Sequence, residues 1–260
     1  MITIYEPRGR AREYSPLALN IYNRCDHNCR YCYVPIIQKR WGNVPVNIEP
    51  FPRRNLLENL RRDAKKYSNG AQVLLCFNGD PYCRAEEKYG ITRNVLEILL
   101  LNNVTTAILT KGGERCLRDT SLFQEFKAIK IGATLTFMEE KDSRHWEPNA
   151  SLPEDRFKTL EELKKLGIMT WVSLEPVMDP EQTLKIIDRT HEFVDQYKVG
   201  KLNHYKNNTN WRNFAIRAID KLNKYGKKFY IKNDLAEYVA TGRMTKEQRD
   251  YDYLAIGDEK

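Results

Sequence analysis

The chain has 260 residues, of which 41% are hydrophobic and 30% are charged, a composition that excludes an intrinsically disordered protein. No stretch approaches the roughly 20 apolar residues of a membrane span, and the first residues lack the pattern of a signal peptide. We therefore expect a cytoplasmic protein with no membrane partner. The formal net charge of +8 favours an anionic partner such as nucleic acid, although an ordinary basic surface would give the same charge.

Short apolar runs rich in β-branched residues alternate with longer amphipathic segments along the chain. The predicted strands are Leu17–Tyr22, Gln72–Phe77, Thr105–Thr110, Ile131–Phe137, Met169–Val177 and Tyr197–Leu202. The predicted helices are Arg53–Tyr67, Thr92–Asn102, Thr120–Lys127, Pro153–Leu166, Pro180–Phe193 and Trp211–Tyr225. A further apolar run, Phe229–Ile231, follows the last helix. Ser151 and Glu154 resemble a capping box ahead of the fourth helix.

This alternation predicts an α/β protein with a parallel sheet, because each crossover helix returns the chain to the same edge. Periodicity leaves open a doubly wound sheet or an incomplete barrel. No linker or internal repeat marks a domain boundary. We predict one domain over residues 1–260, with a core at about 14–205 and a C-terminal extension at about 206–260.

Three of the six cysteines lie within eight positions, directly after the first predicted strand. Cys25, Cys29 and Cys32 form the pattern C-x₃-C-x₂-C, and three thiolates on one short loop can bind three irons of a [4Fe–4S] cluster. The fourth iron then has no protein ligand and is open to a small molecule. Zinc bound by the three thiolates and His27 is an alternative, although structural zinc loops usually add a second cysteine pair.

This motif, with an aromatic residue before its last cysteine, resembles the radical S-adenosylmethionine (SAM) superfamily, whose core is a partial (β/α)₆ barrel of TIM type. A wider set of segments is similar to the spore photoproduct lyase-like branch, also called DNA repair photolyases. These segments are Asn20-Ile21-Tyr22-Asn23-Arg24-Cys25, Tyr31-Cys32-Tyr33, Asp80-Pro81-Tyr82, Glu86-Glu87-Lys88, Thr92-Arg93, Thr110-Lys111, Glu147-Pro148 and Pro153-Glu154-Asp155-Arg156. The resemblance runs from about Tyr14 to Val177.

The resemblance implies a [4Fe–4S] cluster and SAM as cofactors, with an external electron donor such as flavodoxin or ferredoxin. Reductive cleavage of SAM would give a 5′-deoxyadenosyl radical. It also implies a set of SAM-binding residues near the ends of the predicted strands. These are Tyr31 beside the cluster, Asn78, Gly79 and Asp80 for the amino group, Lys111 for the carboxylate, and Thr134 for the ribose or carboxylate.

Glu175 is a carboxylate on an otherwise apolar strand. A buried acid must be paired or functional, so Glu175 either contacts adenosine or substrate, or forms a salt bridge to a neighbouring strand.

A cysteine near the end of the second strand returns hydrogen to the product in spore photoproduct lyase, and nearby tyrosines assist. The resemblance therefore implies Cys76, Tyr31 and Tyr33 as catalytic candidates. Cys83 is a further candidate and a departure from the branch, which more often has Gln at that position. Cys76 also fits a buried hydrophobic position in the helix layer, whereas we expect Cys83 at the mouth of the pocket.

Basic residues close to aromatic ones are typical of surfaces that contact phosphates and stack on bases. Such groups are Arg8-Gly9-Arg10-Ala11-Arg12, Lys39-Arg40-Trp41, Arg53-Arg54, and Lys198, Lys201, His204, Tyr205 and Lys206.

We accordingly expect a radical SAM enzyme that abstracts hydrogen from a nucleic-acid base or nucleotide, resulting in repair, rearrangement or modification. A radical SAM enzyme that acts on a peptide or small metabolite, and a non-enzymatic iron–sulfur or zinc module, are the alternatives.

Overall fold

A computed structural model of the chain describes residues 3–40, 49–203, 205 and 207–256. Within these ranges the strands form one eight-stranded sheet whose spatial order follows the chain. The first two strands pair antiparallel, and all later neighbours are parallel. The strands are β1 (Ile4–Tyr5), β2 (Leu17–Leu19), β3 (Val73–Leu75), β4 (Thr106–Thr110), β5 (Ile129–Thr134), β6 (Met169–Val177), β7 (Gln196–Lys201) and β8 (Lys228–Ile231).

Helices connect the parallel strands. The α-helices are α1 (Val34–Arg40), α2 (Leu56–Asp63), α3 (Ala85–Tyr89), α4 (Ile91–Leu101), α5 (Thr120–Glu125), α6 (Glu140–Trp146), α7 (Pro153–Lys165), α8 (Pro180–Thr190), α9 (Trp211–Lys224) and α10 (Asn233–Ala236). Short 3₁₀ helices span Gly9–Ala11, Ala64–Tyr67, Gly113–Asp119 and Glu247–Arg249.

The predicted α/β class and partial TIM-like barrel are confirmed, since parallel strands β2 to β8 follow one another in sequential order. The sheet extends beyond the six predicted strands at both edges, by the short β1 and by β8 on the run Phe229–Ile231. The predicted capping box is wrong. Leu152 is the N-cap of α7 without a side-chain hydrogen bond, and the Ser151 hydroxyl instead donates to the carbonyl of Lys111.

A layer of buried apolar side chains separates the sheet from the helices, while a smaller group fills the barrel interior. Trp171 of β6 is the largest interior side chain, and its indole N–H donates to the carbonyl of Ile108 at 2.9 Å. A Cβ on Gly132 would lie 2.4 Å from the Trp171 indole nitrogen. Glycine at this position in β5 therefore makes room for the ring.

The C-terminal segment closes the amino-terminal end of the barrel. The Lys198 ammonium donates to the carbonyl oxygens of Glu13 and Tyr14, at 2.5 and 3.1 Å, and to that of Tyr251 at 3.4 Å. The Lys130 ammonium donates to the carbonyl of Leu254. The predicted place of Lys198 near the mouth is wrong, because its side chain is buried in the barrel interior.

None of the helices in the described part of the chain has the length and apolar character that crossing a bilayer requires.

Candidate functional site

The cysteine loop follows β2 and lies at the carboxyl end of the barrel, where (β/α) barrels carry their functional groups. Cys25, Cys29 and Cys32 are all free thiols of intermediate exposure. Burial raises the pKa of Cys25 and Cys32, and it raises that of Cys29 to about 12. Three neutral thiols on one loop would gain from a metal centre, because a metal stabilises the thiolate form.

Asp80 braces this loop from the end of β3. Its Oδ1 accepts hydrogen bonds from the Thr110 hydroxyl at 2.6 Å and from the Tyr82 amide at 2.8 Å. Its Oδ2 accepts from the Lys111 amide at 2.6 Å and lies 3.1 Å from Nε2 of His27. Although burial alone would raise the pKa of Asp80, His27 and these donors lower it below its usual value. Both oxygens are thus occupied by the protein, so the predicted contact of Asp80 with the SAM amino group stays a prediction.

Two further polar side chains attach the loop to its surroundings. The Asp26 carboxylate accepts from the backbone amides of Arg84 and Ala85, at 3.1 and 2.9 Å, at the start of α3. The side-chain amide of Asn149 donates to the carbonyl of Asp26 at 2.9 Å, and its backbone amide donates to that of His27 at 3.2 Å. The cysteine loop is therefore fixed on both sides by residues distant in sequence.

The turn with Asn78 and Gly79 is shaped by its contacts within the protein. Oδ1 of Asn20 accepts from the backbone amides of Phe77 and Asn78, both at 2.8 Å. A Cβ on Gly79 would lie 2.9 Å from the carbonyl oxygen of Arg24. Glycine is required here because the cysteine loop passes so close to the turn.

The two tyrosines beside Cys32 bond to opposite walls of the mouth. The Tyr31 hydroxyl donates to Glu147 and lies 3.3 Å from the Thr136 hydroxyl. The Tyr33 hydroxyl donates to the carbonyl of Phe77 at 2.8 Å, and the side chain is partly exposed. Burial raises the pKa of both phenols.

Glu147 and Arg156 form a buried ion pair behind Tyr31. Nη2 of Arg156 lies 2.6 Å from Oε2 of Glu147, and its Nη1 donates to the carbonyl of Thr134 at 2.9 Å. Although burial would raise the pKa of Glu147, Arg156 and Lys111 lower it. Sequence reasoning noted both residues only as part of a resemblance. The spacing of Glu147 and Arg156 in the sequence matches no motif of known function, so it could not have indicated their role.

Lys111 follows β4 and has no ion-pair partner among the described residues. Its ammonium lies 5.7 Å from the centre of the Tyr31 ring. Burial would lower the pKa of Lys111, but Cys29 and Glu147 raise it above its usual value. The side chain therefore offers an unneutralised cation beside the cysteine loop. Thr134, the other predicted SAM contact, is buried at the end of β5.

Glu175 lies in a polar network that crosses the barrel interior. It accepts from the Tyr14 hydroxyl, and its Oε2 lies 2.7 Å from Nζ of Lys232, which follows β8. Its Oε1 has a longer contact of 3.5 Å with the side-chain amide of Asn203. The structure thus contains a salt bridge, one of the two alternatives, although its partner follows β8 rather than the adjacent strand β7, and Oε1 remains the less occupied oxygen. Lys232 could have been found as the polar residue after an apolar run, whereas Tyr14 carries no local signal.

The dispersed cysteines are in the hydrophobic core between the sheet and the helices. Cys83 is fully buried, so its expected position at the pocket mouth is wrong. The chain turns inward there, because Cys83 follows the buried Tyr82 and its amide donates to the carbonyl of Asp80 at 3.3 Å. Cys76 is also buried, and burial raises its pKa to about 12. Its proposed role in hydrogen transfer stays a prediction.

Several of the basic residues expected to contact nucleic acid have protein partners. Arg12 forms two hydrogen bonds with Asp252, at 2.6 and 2.7 Å, and its expected contact with phosphate stays a prediction. Arg10 lies 3.5 Å from Asp234. Exposed members of the predicted groups are Arg8, Lys39, Arg53, Arg54 and Tyr205. Trp41, His204 and Lys206 lie outside the described residues.

The donor set fits an iron–sulfur cluster better than a single ion. In a cubane each thiolate binds a different iron, so the three sulfurs need not converge on one point. Among the described residues, no group of three or more His, Cys, Asp and Glu side chains is arranged to hold one metal ion. His27, the fourth zinc ligand considered, is instead buried against Asp80.

Comparisons with known proteins agree with this chemistry. Residues 19–194 match the model of the radical SAM superfamily. An uncharacterized protein of Methanocaldococcus jannaschii is 29% identical over 191 residues, which cover 71% of this chain and 70% of that protein. An uncharacterized protein of the Acidianus two-tailed virus is 28% identical over 203 residues, which cover 74% of this chain and 66% of that protein.

Two solved enzymes share the fold. Spore photoproduct lyase complexed with dinucleoside spore photoproduct has a TM-score of 0.68 and 11% identity, over 89% of this chain and 79% of that one. Streptococcus suis SuiB bound to its precursor peptide SuiA has a TM-score of 0.65 and 14% identity, over 85% of this chain. The alignment spans half of the SuiB chain, and SuiB has also been solved with SAM bound. Because the superfamily match covers more than half of the sequence, the protein belongs to the radical SAM superfamily, whose cofactors are a [4Fe–4S] cluster and SAM.

Proposed function

We propose that the protein is a radical SAM enzyme of the spore photoproduct lyase-like branch that abstracts hydrogen from a nucleic-acid base or nucleotide. The observation that carries this proposal is the cysteine loop braced over the mouth of a barrel in a chain of net charge +8. The likeness to spore photoproduct lyase, which covers 79% of that enzyme, supports the same branch. Repair, rearrangement and modification of the base are all compatible with this chemistry.

In this proposal Cys25, Cys29 and Cys32 hold the cluster. When bound, the cluster supplies the electron that cleaves SAM to the 5′-deoxyadenosyl radical. Lys111 pairs with the SAM carboxylate, because it is the unneutralised cation beside the loop. The backbone of Asn78 and Gly79 and the hydroxyl of Thr134, at the ends of β3 and β5, complete the SAM side of the pocket.

Of the remaining polar groups, some hold the cysteine loop in place and one is available to bind the substrate. Asp80 orients the cysteine loop through His27. Tyr31 is held by Glu147, which keeps the phenol beside the cluster. The hydrogen bond that Oε1 of Glu175 accepts from the side-chain amide of Asn203 is long, at 3.5 Å. We therefore assign this oxygen as the acceptor for an N–H or O–H group of the substrate.

The direct test uses anaerobically reconstituted enzyme, SAM, dithionite and deuterated oligonucleotides or nucleosides. We expect deuterium to appear in 5′-deoxyadenosine, or in recovered SAM where SAM is regenerated, because the radical takes its hydrogen from the base. Formation of unlabelled 5′-deoxyadenosine with every nucleic-acid substrate, at an unchanged rate, would contradict a nucleic-acid substrate. A complete lack of both 5′-deoxyadenosine and deuterium in recovered SAM would contradict the enzymatic assignment itself.

A peptide or small metabolite is the second candidate substrate class. It is favoured by the finding that Lys198 is buried and that Arg12 pairs with Asp252, so both cations already have partners within the protein. The two classes differ in salt dependence, because phosphate-dominated binding falls steeply as salt concentration rises. Oligonucleotide binding that is absent at low salt would favour the second candidate.

A further inference from the structure

Three loops at the carboxyl end of the barrel meet at a group of aromatic and basic side chains. Arg30 lies in the cysteine loop, His145 and Trp146 end α6, and Tyr205 follows β7. The Tyr205 hydroxyl donates to the carbonyl of Arg30 at 2.7 Å, and the Arg30 amide donates to that of Trp146 at 2.8 Å. We call these four residues the rim cluster. It lies directly against the loop that carries the cysteines.

The rings of the rim cluster contact one another edge to face. The centres of Trp146 and Tyr205 are 5.8 Å apart at 86°, and those of His145 and Trp146 are 5.5 Å apart at 80°. Tyr205 is 40% exposed, His145 is exposed and Trp146 is partly exposed. Edge-to-face contacts use ring edges against ring faces and leave further ring surface open to solvent. That surface is available for stacking.

Among the described residues, no carboxylate forms an ion pair with the rim cluster. The exposed Arg30 guanidinium contacts Nε2 of His145 at 3.2 Å and forms no ion pair with any described residue. The nearby carboxylates of α6 are partly engaged elsewhere. Glu140 pairs with Arg144 at 2.7 Å, and Asp142 accepts from Gln182 at 2.7 Å, while Glu139 is exposed.

A purely structural role would explain only part of this arrangement. The two backbone-directed hydrogen bonds suffice to tie the three loops together, and neither needs a partly exposed indole or a guanidinium that forms no ion pair with the described residues. Aromatic rings that bind bases by stacking, next to an arginine that contacts phosphate, are instead the usual elements of single-strand recognition.

We propose that the rim cluster binds the substrate as single-stranded or extruded nucleic acid. A base stacks on Trp146 and Tyr205, and Arg30 contacts the adjoining phosphate. This inference rests on the proposed function and specifies how its substrate is held at the barrel mouth. A base taken out of a duplex is also what chemistry inside a barrel requires, because the reacting atom is inaccessible in a stacked pair.

The test measures the affinity of the cluster-loaded protein for a short fluorescein-labelled single-stranded oligonucleotide, by anisotropy over a range of salt concentrations. We expect Trp146→Ala and Tyr205→Ala each to weaken binding by about tenfold, which is the size of one lost stacking contact. Arg30→Gln should lower the slope of log affinity against log salt by about one. Iron content and thermal unfolding identify any variant that is misfolded.

Two control variants separate stacking from folding effects. Tyr205→Phe keeps the ring but loses the hydrogen bond to Arg30, so it should bind as the wild type does. Tyr225→Ala removes a similar ring, which stacks on His191 with ring centres 3.8 Å apart and lies beside Lys221 and Lys224. This pair lies at the C-terminal ends of α8 and α9. Those helix ends lie at the opposite end of the barrel, so binding should not change.

The outcomes distinguish this inference from the proposed function. If the wild type binds the oligonucleotide but Trp146→Ala and Tyr205→Ala bind equally well, the rim cluster is not the binding surface and the proposed function stands. If Tyr205→Phe binds as weakly as Tyr205→Ala, Tyr205 acts only through the hydrogen bond of its hydroxyl to Arg30, its ring does not stack on a base, and the inference fails. If the wild type binds no oligonucleotide at any salt concentration, the inference fails, and the proposed function is left with a free nucleotide as its substrate, which the deuterium experiment tests separately.

Discussion

Nε2 of His27 lies 3.1 Å from Oδ2 of Asp80, and this contact joins the cysteine loop to the end of β3. The same carboxylate accepts from the Thr110 hydroxyl and the Lys111 amide, both at 2.6 Å. One buried side chain thus connects the loop after β2 with the ends of β3 and β4. Its role in the structure is to set where the three thiols stand relative to Lys111.

Replacing Asp80 with Asn should destabilise the protein, because an amide nitrogen would face donors that now bond to a carboxylate oxygen. A buried charge network broken on one side typically costs roughly 3–5 kcal/mol. Urea unfolding of both proteins measures the difference. The matched control is Asp220→Asn, an exposed partner of Arg243 at 3.3 Å, which should change stability by about 0.5 kcal/mol or less. Equal stability of Asp80→Asn and wild type would contradict the role assigned to Asp80.

Alanine at Cys25, Cys29 or Cys32 should lower the iron and sulfide content of anaerobically purified protein, since each thiolate holds a different iron. Cys116→Ala is the matched control, because that thiol is fully buried in the core. It should retain iron while losing about 1 kcal/mol of stability. Iron and sulfide analysis of the four variants checks this. Full retention of both in any of the first three would rule out that residue as a ligand.

Replacing Lys111 with Met should weaken SAM binding by roughly 10- to 100-fold, the usual effect of losing a hydrogen bond to a charged group. Iron content should stay at the wild-type value, since Lys111 supplies no cluster ligand. Equilibrium dialysis with labelled SAM measures the affinity. The control is Lys228→Met, an exposed lysine at the amino end of β8. If both variants bind SAM as the wild type does, Lys111 does not contact its carboxylate.

The buried ammonium of Lys198 should make stability depend on pH. Burial, together with the nearby Lys232, lowers the pKa of Lys198 from 10.5 to about 7. Between these values the unfolded chain binds more protons than the folded one, so this residue makes stability rise with pH. The slope is at most about 1.4 kcal/mol per pH unit.

Urea unfolding at about pH 7 and about pH 9 measures this slope. Lys198→Met should flatten it, because methionine fills similar space and does not titrate. Lys130, whose pKa burial also lowers, contributes a slope of the same sign in both proteins. An identical pH dependence in wild type and Lys198→Met would show that Lys198 is not the source.

The strand and helix pattern was readable from sequence wherever an element is long. β6 begins and ends at the predicted residues, and α7 and α9 each end one residue earlier than predicted. Short elements such as β1, α3 and α6 were missed, because two to seven residues give too little periodicity to identify. Their formation depends on neighbours: β1 pairs with β2, and Asp26 caps α3 from a distant loop.

The sequence by itself predicted an α/β protein and a metal-binding cysteine loop, because hydrophobic period and cysteine spacing are local properties. The partial barrel and the [4Fe–4S] cluster followed from the resemblance of the cysteine motif to the radical SAM superfamily. Only the tertiary structure decided which polar groups meet. It buried Cys83 and Lys198, paired Arg12 with Asp252, and linked Glu175 to Tyr14 and Lys232. The partners in these contacts are separated by many residues, and no local pattern encodes which strands and loops fold against each other.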